Sequence, residues 1–463
     1  MKTKFKKNAL LTTALVSSLF SANLLAKVIN VHPGLDTLQA AIDGAEAGDV
    51  LVLQPGTYSD SGHVELEKEL TIRAASRDSK PVIALASNHS FRMGSTDCNR
   101  PIGVTIQGIK LLSSTGHTKT TLSDKGCMTE INLFENEFVN THIRLENSGR
   151  NAKHRVVGNT LVNGYIYTSY NNLSYIAANT VTGSINISSA QSAYVVGNRV
   201  DCRSTERYHE SVMRNGEFYE NNKVCSGIRI DSPTRSYVIA NDISLQLDTD
   251  NDQQNGYKLG IYLKGGAQLA TSNVVKVNKI GTLDWINQPS FISGIFADNG
   301  GVYDIFNNII DLDEGLPNTE KSAIFAQTNV VGHIQNNIVV NHPNAAISAT
   351  PDLVQIASNL CHNNVIDCDE AEGNLSTAPQ FENFYQLASG SPAIDTGYDV
   401  LARSDLDGTR ADMGIHGGPF GYDQYANQRN DVANPFIFPL FDDIDATDAE
   451  SVAVRVLAIS RLK

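Results

Sequence analysis

An asparagine recurs along most of this chain in one local setting, just before or within a short apolar run. It occupies ten positions: Asn136, Asn159, Asn179, Asn198, Asn222, Asn241, Asn278, Asn308, Asn337 and Asn359. Successive positions are 19 to 37 residues apart, a repeat length typical of solenoids rather than globular sandwiches. Asn tolerates a left-handed turn conformation, and stacked amides can hydrogen-bond from one rung to the next. The spacing therefore predicts one Asn per rung, at a corner of a parallel β-helix.

A second column of residues supports the same interpretation. Between successive asparagines lies a small residue followed by an apolar, a variable and a second apolar residue. The first apolar residue is always isoleucine: Ile143, Ile166, Ile185, Ile228, Ile261, Ile295, Ile324 and Ile347. Alternation at period two predicts that these isoleucines point inward as a stacked column. An antiparallel barrel would instead need hairpin dipeptides and would not keep a fixed order of two strand types.

The two ends of the repeat region carry further recognisable segments. Residues 37–58 are TLQAAIDGAEAGDVLVLQPGTY, and Asp36 is placed to cap a short helix there. Residues 391–395 are SPAID, and residues 405–414 are DLDGTRADMG. With these segments and its rungs, the chain resembles the pectin-lyase-like superfamily. The resemblance implies an all-β fold, a right-handed parallel β-helix solenoid with an N-terminal capping helix. It implies no single activity, since such proteins include lyases, hydrolases, epimerases, phage tailspikes and proteins without known catalysis.

The repeat divides the chain into three regions. Residues 1–26 are expected to be a secretory signal peptide, because four lysines precede an apolar stretch and SANLLA ends at Ala26. Residues 27–418 are expected to form the β-helix domain, with 389–418 as its closing segment. Residues 419–463 are expected to be a C-terminal tail or cap with two strand candidates, in PFIFPLF and SVAVRVLAI. The mature protein is thus predicted to be secreted, to the periplasm or beyond, without membrane insertion.

The cysteines fit an oxidising compartment. Six are present, an even number, all beyond the signal segment. A solenoid brings only neighbouring rungs together, which favours the pairs Cys98–Cys127, Cys202–Cys225 and Cys361–Cys368. Metal ligation by these cysteines is disfavoured, because there is no CxxC pair and no His at ligand spacing.

The net charge restricts the partners. It is −14 for the whole chain, which argues against nucleic acid and anionic lipid. An anionic polysaccharide would need a local basic patch or a bound cation to offset this field. We expect a polysaccharide or another glycan as the partner.

Outward positions on the isoleucine strands provide the candidate binding surface. The residue between the two apolar positions is Arg144, Tyr167, Asn186, Arg229, Tyr262, Phe296, Phe325 and Ser348 in successive rungs. Aromatic faces stack on pyranose rings, and polar groups orient hydroxyls. This pattern predicts a sugar-binding strip that uses Arg144, Tyr167, Arg229, Phe296 and Phe325. Stacking among exposed aromatics without any ligand is the alternative.

The densest cluster of candidate catalytic residues is Asp231, Tyr262, Lys264 and Asp298, beside Arg229. In a β-eliminating lyase, Lys264 or Tyr262 would remove the proton alpha to a uronate carboxyl, and Arg229 or a cation would neutralise that carboxylate. In an inverting hydrolase, Asp231 and Asp298 would be acid and base. An exposed ladder of alternating charges without function is the alternative.

Known lyase motifs are not matched. The pectate-lyase pattern Arg-x-Pro-x-x-Arg is absent, because Arg229, Pro233 and Arg235 have the wrong spacing. No family's catalytic residues can therefore be transferred to this chain.

Two acidic segments are calcium candidates. Asp248, Asp250 and Asp252 alternate like the start of a calcium loop, and Asp405 and Asp407 do so again before Gly408. Neither is an EF-hand, and a solvated acidic loop is the alternative.

The sequence therefore predicts a secreted β-helix protein that engages carbohydrate, with a polysaccharide lyase acting on a uronate-containing polymer as the leading enzymatic hypothesis. A non-catalytic glycan-binding protein of the cell surface or matrix and an inverting glycoside hydrolase are the alternatives.

Overall fold

Three long parallel sheets make up most of the molecule. The computed structural model describes residues 26–86, 89–95, 97–113, 120–203, 212–214, 217–219, 225–247, 257–279, 291–312, 321–399, 404–429, 434–440, 455–459 and 461. Successive strands pair with the equivalent strands of neighbouring rungs, so the chain winds as a right-handed parallel β-helix. The predicted fold class is confirmed. The signal segment lies outside the described residues, apart from Ala26.

Each rung contributes one strand to each of the three sheets, with few exceptions. Sheet 1 contains Val28–Val31, Val50–Leu53, Leu70–Ala74, Ile102–Gln107, Met128–Phe134, Lys153–Val157, Leu173–Ala177, Ser192–Val196, Arg235–Ile239, Ala267–Thr271, Gly301–Phe306, Val330–Gln335 and Val354–Ala357. Sheet 2 contains Thr57–Ser59, Val82–Leu85, Lys110–Ser113, Glu137–Val139, Thr160–Val162, Thr180–Thr182, Arg199–Arg203, Asp242–Leu247, Val274–Lys279, Ile309–Leu312, Ile338–Val340 and Leu360–His362. Sheet 3 contains Val64–Leu66, Phe91–Gly94, Thr120–Gly126, Thr141–Leu145, Ile166–Ser169, Ile185–Ser188, Cys225–Asp231, Tyr257–Lys264, Phe291–Asp298, Ile324–Ala326 and Ile347–Ser348.

Smaller elements lie outside these sheets. Two antiparallel hairpins pair Val212–Arg214 with Glu217–Tyr219 and Phe436–Leu440 with Arg455–Ile459. The α-helices are Thr37–Gly44 and Tyr422–Ala426, and the described 3-10 helices are Ala371–Gly373, Asn383–Tyr385 and Asn427–Arg429. The second hairpin confirms both strand candidates of the tail.

The predicted isoleucine column is confirmed. Each isoleucine from Ile143 to Ile347 pairs in register with the next, and those from Ile143 to Ile324 are fully buried. From Ile185 onward the residue before each isoleucine is small, and the glycines among these residues have a structural reason. A Cβ on Gly227 would lie 2.5 Å from Ile243, and a Cβ on Gly294 would lie 2.6 Å from Ile310. The backbone enters the core too closely there for a larger side chain.

A buried asparagine ladder runs along the corner between sheets 1 and 2. Asn198 represents its members: its Nδ2 donates to the Oδ1 of Asn241 at 3.0 Å and to the carbonyl oxygen of Ile176 at 2.9 Å. Its Oδ1 accepts bonds from the backbone N–H and the Nδ2 of Asn179 at 3.0 and 2.9 Å. Both donors and both lone pairs of the amide are therefore used, which satisfies a side chain that has no access to water.

The ladder differs from the predicted set in its membership. Its members are Asn136, Asn159, Asn179, Asn198, Asn241, Asn273, Asn308, Asn337, Asn359 and Asn374. The assignment of Asn278 is wrong, because Asn273 takes that place and Asn278 lies within a sheet 2 strand. Asn222, which lies outside the described residues, is bypassed, since Asn198 bonds directly to Asn241.

The left-handed conformation falls on the residue before each ladder asparagine, not on the asparagine itself. Ala178 has φ 52°, Gly197 has φ 63° and Ala240 has φ 54°. This turn reverses the chain direction so that the following amide points into the stack. The ladder thus accommodates even β-carbon-bearing residues in a conformation that glycine adopts most easily.

The N-terminal helix forms as predicted, but Asp36 does not cap it. Asp36 occupies the N-cap position without a capping side-chain bond. Its carboxylate instead accepts bonds from the backbone N–H and hydroxyl of Ser61, at 2.7 and 3.0 Å. The helix buries Leu38 and Ile42 and so covers the open apolar end of the first rungs.

Two predicted disulfides are present. Cys98 is bonded to Cys127 and Cys361 to Cys368, with Cα–Cα distances of 4.8 and 5.4 Å. Cys202 is also disulfide-bonded, but the side chain of Cys225 lies outside the described residues, so that pairing stays a prediction. Among the described residues, no helix has the length and apolar character needed to cross a bilayer.

The C-terminal segment lies along the side of the solenoid. Gly414 donates its N–H to the carbonyl of Asn336, and further on the carbonyl oxygen of Tyr425 lies 2.7 Å from where a Cβ of Gly197 would be. Phe436 packs against Gly158. The segment therefore runs back towards the N-terminus along the asparagine corner, where the two glycines leave room for it.

A buried polar chain crosses the interior near the fourth sheet 3 strand. Asn171 Nδ2 donates to Nδ1 of His154 at 3.0 Å, so the ring proton of the neutral imidazole lies on Nε2 and is donated to Ser148 Oγ at 2.9 Å. Ser148 in turn donates to the carboxylate of Asp124. Burial lowers the pKa of His154 to about 3 and raises the pKa of Asp124.

Replacing Asn198 by alanine is expected to reduce the free energy of unfolding by about 1–2 kcal/mol, because it leaves buried partners on both neighbouring rungs unpaired. Asn186→Ala is the matched control, since Asn186 lies on the outer face one rung earlier and bonds to Ser184. Chemical denaturation measures both changes. Equal effects of the two substitutions would contradict the ladder assignment.

Protonation of His154 is expected to contribute to acid unfolding. Its pKa is about 3 in the folded protein and about 6.5 in an unfolded chain, so the unfolded state binds more protons and stability is lost as pH falls between these values. The raised pKa of Asp124 acts in the opposite direction, since its stabilising effect is lost as pH rises. His154→Gln should flatten the dependence of unfolding free energy on pH, whereas His32→Gln, a substitution at an exposed position, should not. An unchanged slope in His154→Gln would contradict this assignment.

Candidate functional site

The outward column of sheet 3 forms a continuous strip, as predicted. We use "the strip" for Arg144, Tyr167, Asn186, Arg229, Tyr262, Phe296, Phe325 and Ser348. Each pairs in register with the next. A neighbouring column places Ser188, Asp231, Lys264 and Asp298 on successive rungs. The register thus brings the predicted catalytic candidates together beside Arg229.

Three aromatic rings stack in the C-terminal half of the strip. The ring centroids of Tyr262 and Phe296 are 5.5 Å apart, and those of Phe296 and Phe325 are 5.4 Å apart, with nearly parallel planes. Phe296 is only 7 % exposed and packs with Leu259. Its ring therefore supports the rings of Tyr262 and Phe325 and does not itself offer an open face.

Cations lie against both ends of this stack. The guanidinium carbon of Arg229 is 4.9 Å from the centroid of the Tyr262 ring, and Nζ of Lys321 is 4.4 Å from the centroid of the Phe325 ring. Lys264 lies beside Tyr262 on the same strand. Lys321 was missed by the sequence analysis, because it precedes its strand and obeys no periodicity. Three cations, Arg229, Lys264 and Lys321, therefore lie at or beside the ring stack, together with two carboxylates, Asp231 and Asp298.

Asp231 is engaged on both oxygens. Its Oδ2 lies 3.6 Å from Arg229 and 3.6 Å from Lys264, and its Oδ1 accepts a bond from the Ser232 hydroxyl at 2.7 Å. Asp231 thus links the two cations and holds their positions. Arg144, further along the strip, is paired with Glu146 at 2.7 Å.

Tyr262 donates its phenolic proton to Asp298, with 2.6 Å between the two oxygens. Burial raises the pKa of Tyr262, and the hydrogen bond to Asp298 raises it further. Both effects hold the proton on the phenol. A phenol that keeps its proton cannot remove one from a substrate, which favours Lys264 among the two candidate bases.

The Tyr303 hydroxyl connects two strand ends in this part of the site. Its hydroxyl donates to the carbonyl oxygen of Asp298 at 2.7 Å and accepts the N–H of Gly265 at 2.7 Å. It thereby ties together the ends of the strands that carry Lys264 and Asp298. No sequence pattern pointed to this residue, because its strand belongs to sheet 1.

Five segments that lie wholly or partly outside the described residues each connect sheet 2 to sheet 3. Residues 114–119, 204–224, 248–256, 280–290 and 313–320 each connect a sheet 2 strand to the next sheet 3 strand, with the hairpin Val212–Arg214/Glu217–Tyr219 inside the second of these segments. The last four precede the strands of Arg229, Tyr262, Phe296 and Phe325. Their connection points therefore flank the richest part of the strip.

The calcium candidates have different outcomes. Asp248, Asp250 and Asp252 lie outside the described residues, so calcium binding there stays a prediction. Asp405 lies with Asp395 and Asp412, with carboxylate oxygens within 4.8 Å of one another. Asp407 instead accepts bonds from Thr409.

The carboxylates of Asp405 and Asp412 in this group accept hydrogen bonds from backbone N–H groups. Asp405 accepts from the N–H groups of Asp412 and Gly418, and Asp412 accepts from the N–H of Asp395. Burial raises the pKa of Asp405 and Asp412, to which neighbouring carboxylates add. The group thus stabilises the turns of the closing segment.

Comparison with known proteins identifies similar folds only. No family model and no curated protein matches the chain. Among solved structures, pectate lyase Pel9A is 14 % identical over 84 % of this chain and 95 % of its own, with a TM-score of 0.37. The PL6 family alginate lyase AlyGC is 12 % identical over 86 % of this chain and 58 % of its own, with a TM-score of 0.40. The PL6 family polysaccharide lyase Pedsa3628 from Pseudopedobacter saltans is 15 % identical over 76 % and 94 %, with a TM-score of 0.35. These similarities reach no further than a solenoid architecture.

Tyr262→Phe is expected to lower the free energy of unfolding by about 1 kcal/mol, because Asp298 loses a hydrogen-bond donor while the stacked rings remain. Tyr167→Phe, which removes a hydroxyl from a partly exposed ring of the same column, serves as control. Urea denaturation measures both variants. A stability equal to wild type for Tyr262→Phe would contradict the importance of the Tyr262–Asp298 bond.

Proposed function

We propose that this protein is a secreted polysaccharide-binding β-helix protein, and that its strip binds and cleaves a uronate-containing polymer by β-elimination. The observation that carries the proposal is the stack of three rings on consecutive rungs, Tyr262, Phe296 and Phe325, with Arg229 and Lys321 against its two ends. The edges of the stacked rings offer an apolar surface to a sugar, and the cations match uronate carboxylates. The disulfides fit an oxidising compartment outside the cytoplasm.

The bound polymer is proposed to lie along the helix axis. Strip residues repeat at the rung spacing of about 4.8 Å, so successive sugars meet successive side chains. Four connecting segments enter at the corner beside these rungs. Functional loops on a rigid scaffold commonly line such binding grooves.

The reaction would use the cluster as follows. Arg229 would pair with the substrate carboxylate and stabilise the charge that develops when the alpha proton leaves. Lys264 would take that proton. Electrons from the broken C–H bond form the C=C bond as the bond to the leaving glycosidic oxygen breaks. The proton taken by Lys264 would then pass to that oxygen.

The hydrolase alternative is less well supported by the same geometry. It needs Asp231 and Asp298 as an acid and a base with room for a water molecule. Both oxygens of Asp231 already face Arg229, Lys264 and Ser232, and Asp298 accepts the Tyr262 proton. A non-catalytic glycan-binding protein would use the same strip without turnover, and product formation separates it from a lyase.

We expect the protein to generate unsaturated uronides from alginate or polygalacturonate. The ultraviolet absorbance of these products measures the reaction. Lys264→Ala should abolish turnover and retain most of the binding, because removal of a base affects kcat more than affinity. Lys153→Ala is the matched control, an exposed lysine on sheet 1, and should behave as wild type.

Binding without unsaturated products would support the non-catalytic alternative. Neither binding nor products with either polymer would overturn the proposal. Full activity of Lys264→Ala would place the base elsewhere.

A further inference from the structure

The corner between sheets 3 and 1 places a left-handed residue at the same position in successive rungs. These residues are Tyr170, Ser189, Ser232, Gly265 and Asn299, with φ of 49°, 53°, 52°, 67° and 52°. In each of the first four, the backbone N–H donates to a carbonyl oxygen on the next rung. The acceptor is the residue just before the left-handed residue of that rung, so Tyr170, for example, donates to Ser188. The turn is therefore one repeated structural feature, and small or turn-forming residues normally occupy it.

Tyr170 departs from this pattern. A bulky aromatic residue is strongly disfavoured in the left-handed region, where Gly and Asn are tolerated best. Its side chain is also 57 % exposed, so burial does little to offset the cost. Strain of this kind, kept at an exposed position, is found most often at ligand-binding sites.

The rung of Tyr170 carries more aromatic surface than its neighbours. Tyr165 and Tyr167 alternate outward on the same strand, and both are partly exposed. The Tyr165 ring stacks on His142 of the preceding rung, with centroids 4.0 Å apart and planes 20° from parallel. One rung thus presents three tyrosines around the edge of sheet 3.

Charged groups accompany these rings. Arg144 on the preceding rung is in register with Tyr167, and its guanidinium is paired with Glu146 at 2.7 Å. Arg144, paired with Glu146, keeps 47 % of its side chain exposed. The cluster therefore combines aromatic faces with an accessible guanidinium, as the Tyr262 region does.

We propose that Tyr165, Tyr167 and Tyr170, with Arg144, form a second sugar-binding subsite for the distal part of the same polysaccharide. This inference rests on the proposed function. Tyr167 and Tyr262 are three rungs apart through Asn186 and Arg229, or about 14 Å at the usual rung spacing. A polymer lying along the strip therefore reaches both clusters, whereas a short oligomer reaches only one.

The test is the dependence of affinity on oligomer length. Alginate and polygalacturonate oligomers of defined length are titrated into wild type and Tyr170→Ser by calorimetry. Wild-type affinity should rise a second time once the oligomer exceeds about 14 Å. Tyr170→Ser should lose this second rise, with about five-fold weaker binding of long oligomers and unchanged binding of short ones.

Serine is the matched replacement, because Ser189 and Ser232 occupy the same turn. Tyr170→Ser should therefore fold, with a Tm equal to or above that of wild type, which separates a binding role from a structural one. Wild-type length dependence in Tyr170→Ser would overturn the second subsite and leave the proposed function intact. Absence of binding by the wild type would overturn both.

Discussion

The saturated hydrogen bonding of the asparagine ladder is the constraint on which the rest of the structure depends. Each interior amide, such as that of Asn198, donates twice and accepts twice within the stack. A shift of one residue in any rung would leave several buried polar groups unpaired at once, and each costs roughly 1–3 kcal/mol. The ladder therefore fixes the register of sheets 1 and 2. Through the short connections between sheets 3 and 1 it also fixes the register of sheet 3. The order of residues along the strip follows from that register.

The ladder also explains where the fold accepts additional residues. Asn198 and Asn241 are 43 residues apart and still bond directly, so a long intervening segment does not interrupt the ladder. Extra residues enter at the corner between sheets 2 and 3, away from the ladder. Loop length costs little free energy once the ends are held. The corner that tolerates insertions is thus the one beside the strip, where loops can acquire function at low structural cost.

The sequence predicted the columns well because alternation at period two leaves little choice of face. The isoleucine column and the strip both follow from this rule. The prediction from sequence failed where the local pattern did not determine the outcome. Asn278 and Asn273 both lie near apolar residues, and the ladder member is distinguished by the left-handed conformation of Ser272 before Asn273. The burial of Phe296 and the bonds of Tyr303 depend on contacts between distant segments, which a single sequence does not record.

The C-terminal segment helps to decide which face of the solenoid is available for binding. Sheet 1 carries its own stack of rings, with centroids 5.1 Å apart for Tyr175 and Tyr194 and 4.8 Å apart for Tyr194 and Tyr237. By composition alone, that column would be an equally good sugar platform. Tyr175 and Tyr194 are fully buried, however, in the apolar cluster that includes Tyr425 and Phe436. The tail thus uses the tyrosines of sheet 1 for packing, and sheet 3 keeps the aromatic surface that a polymer can reach.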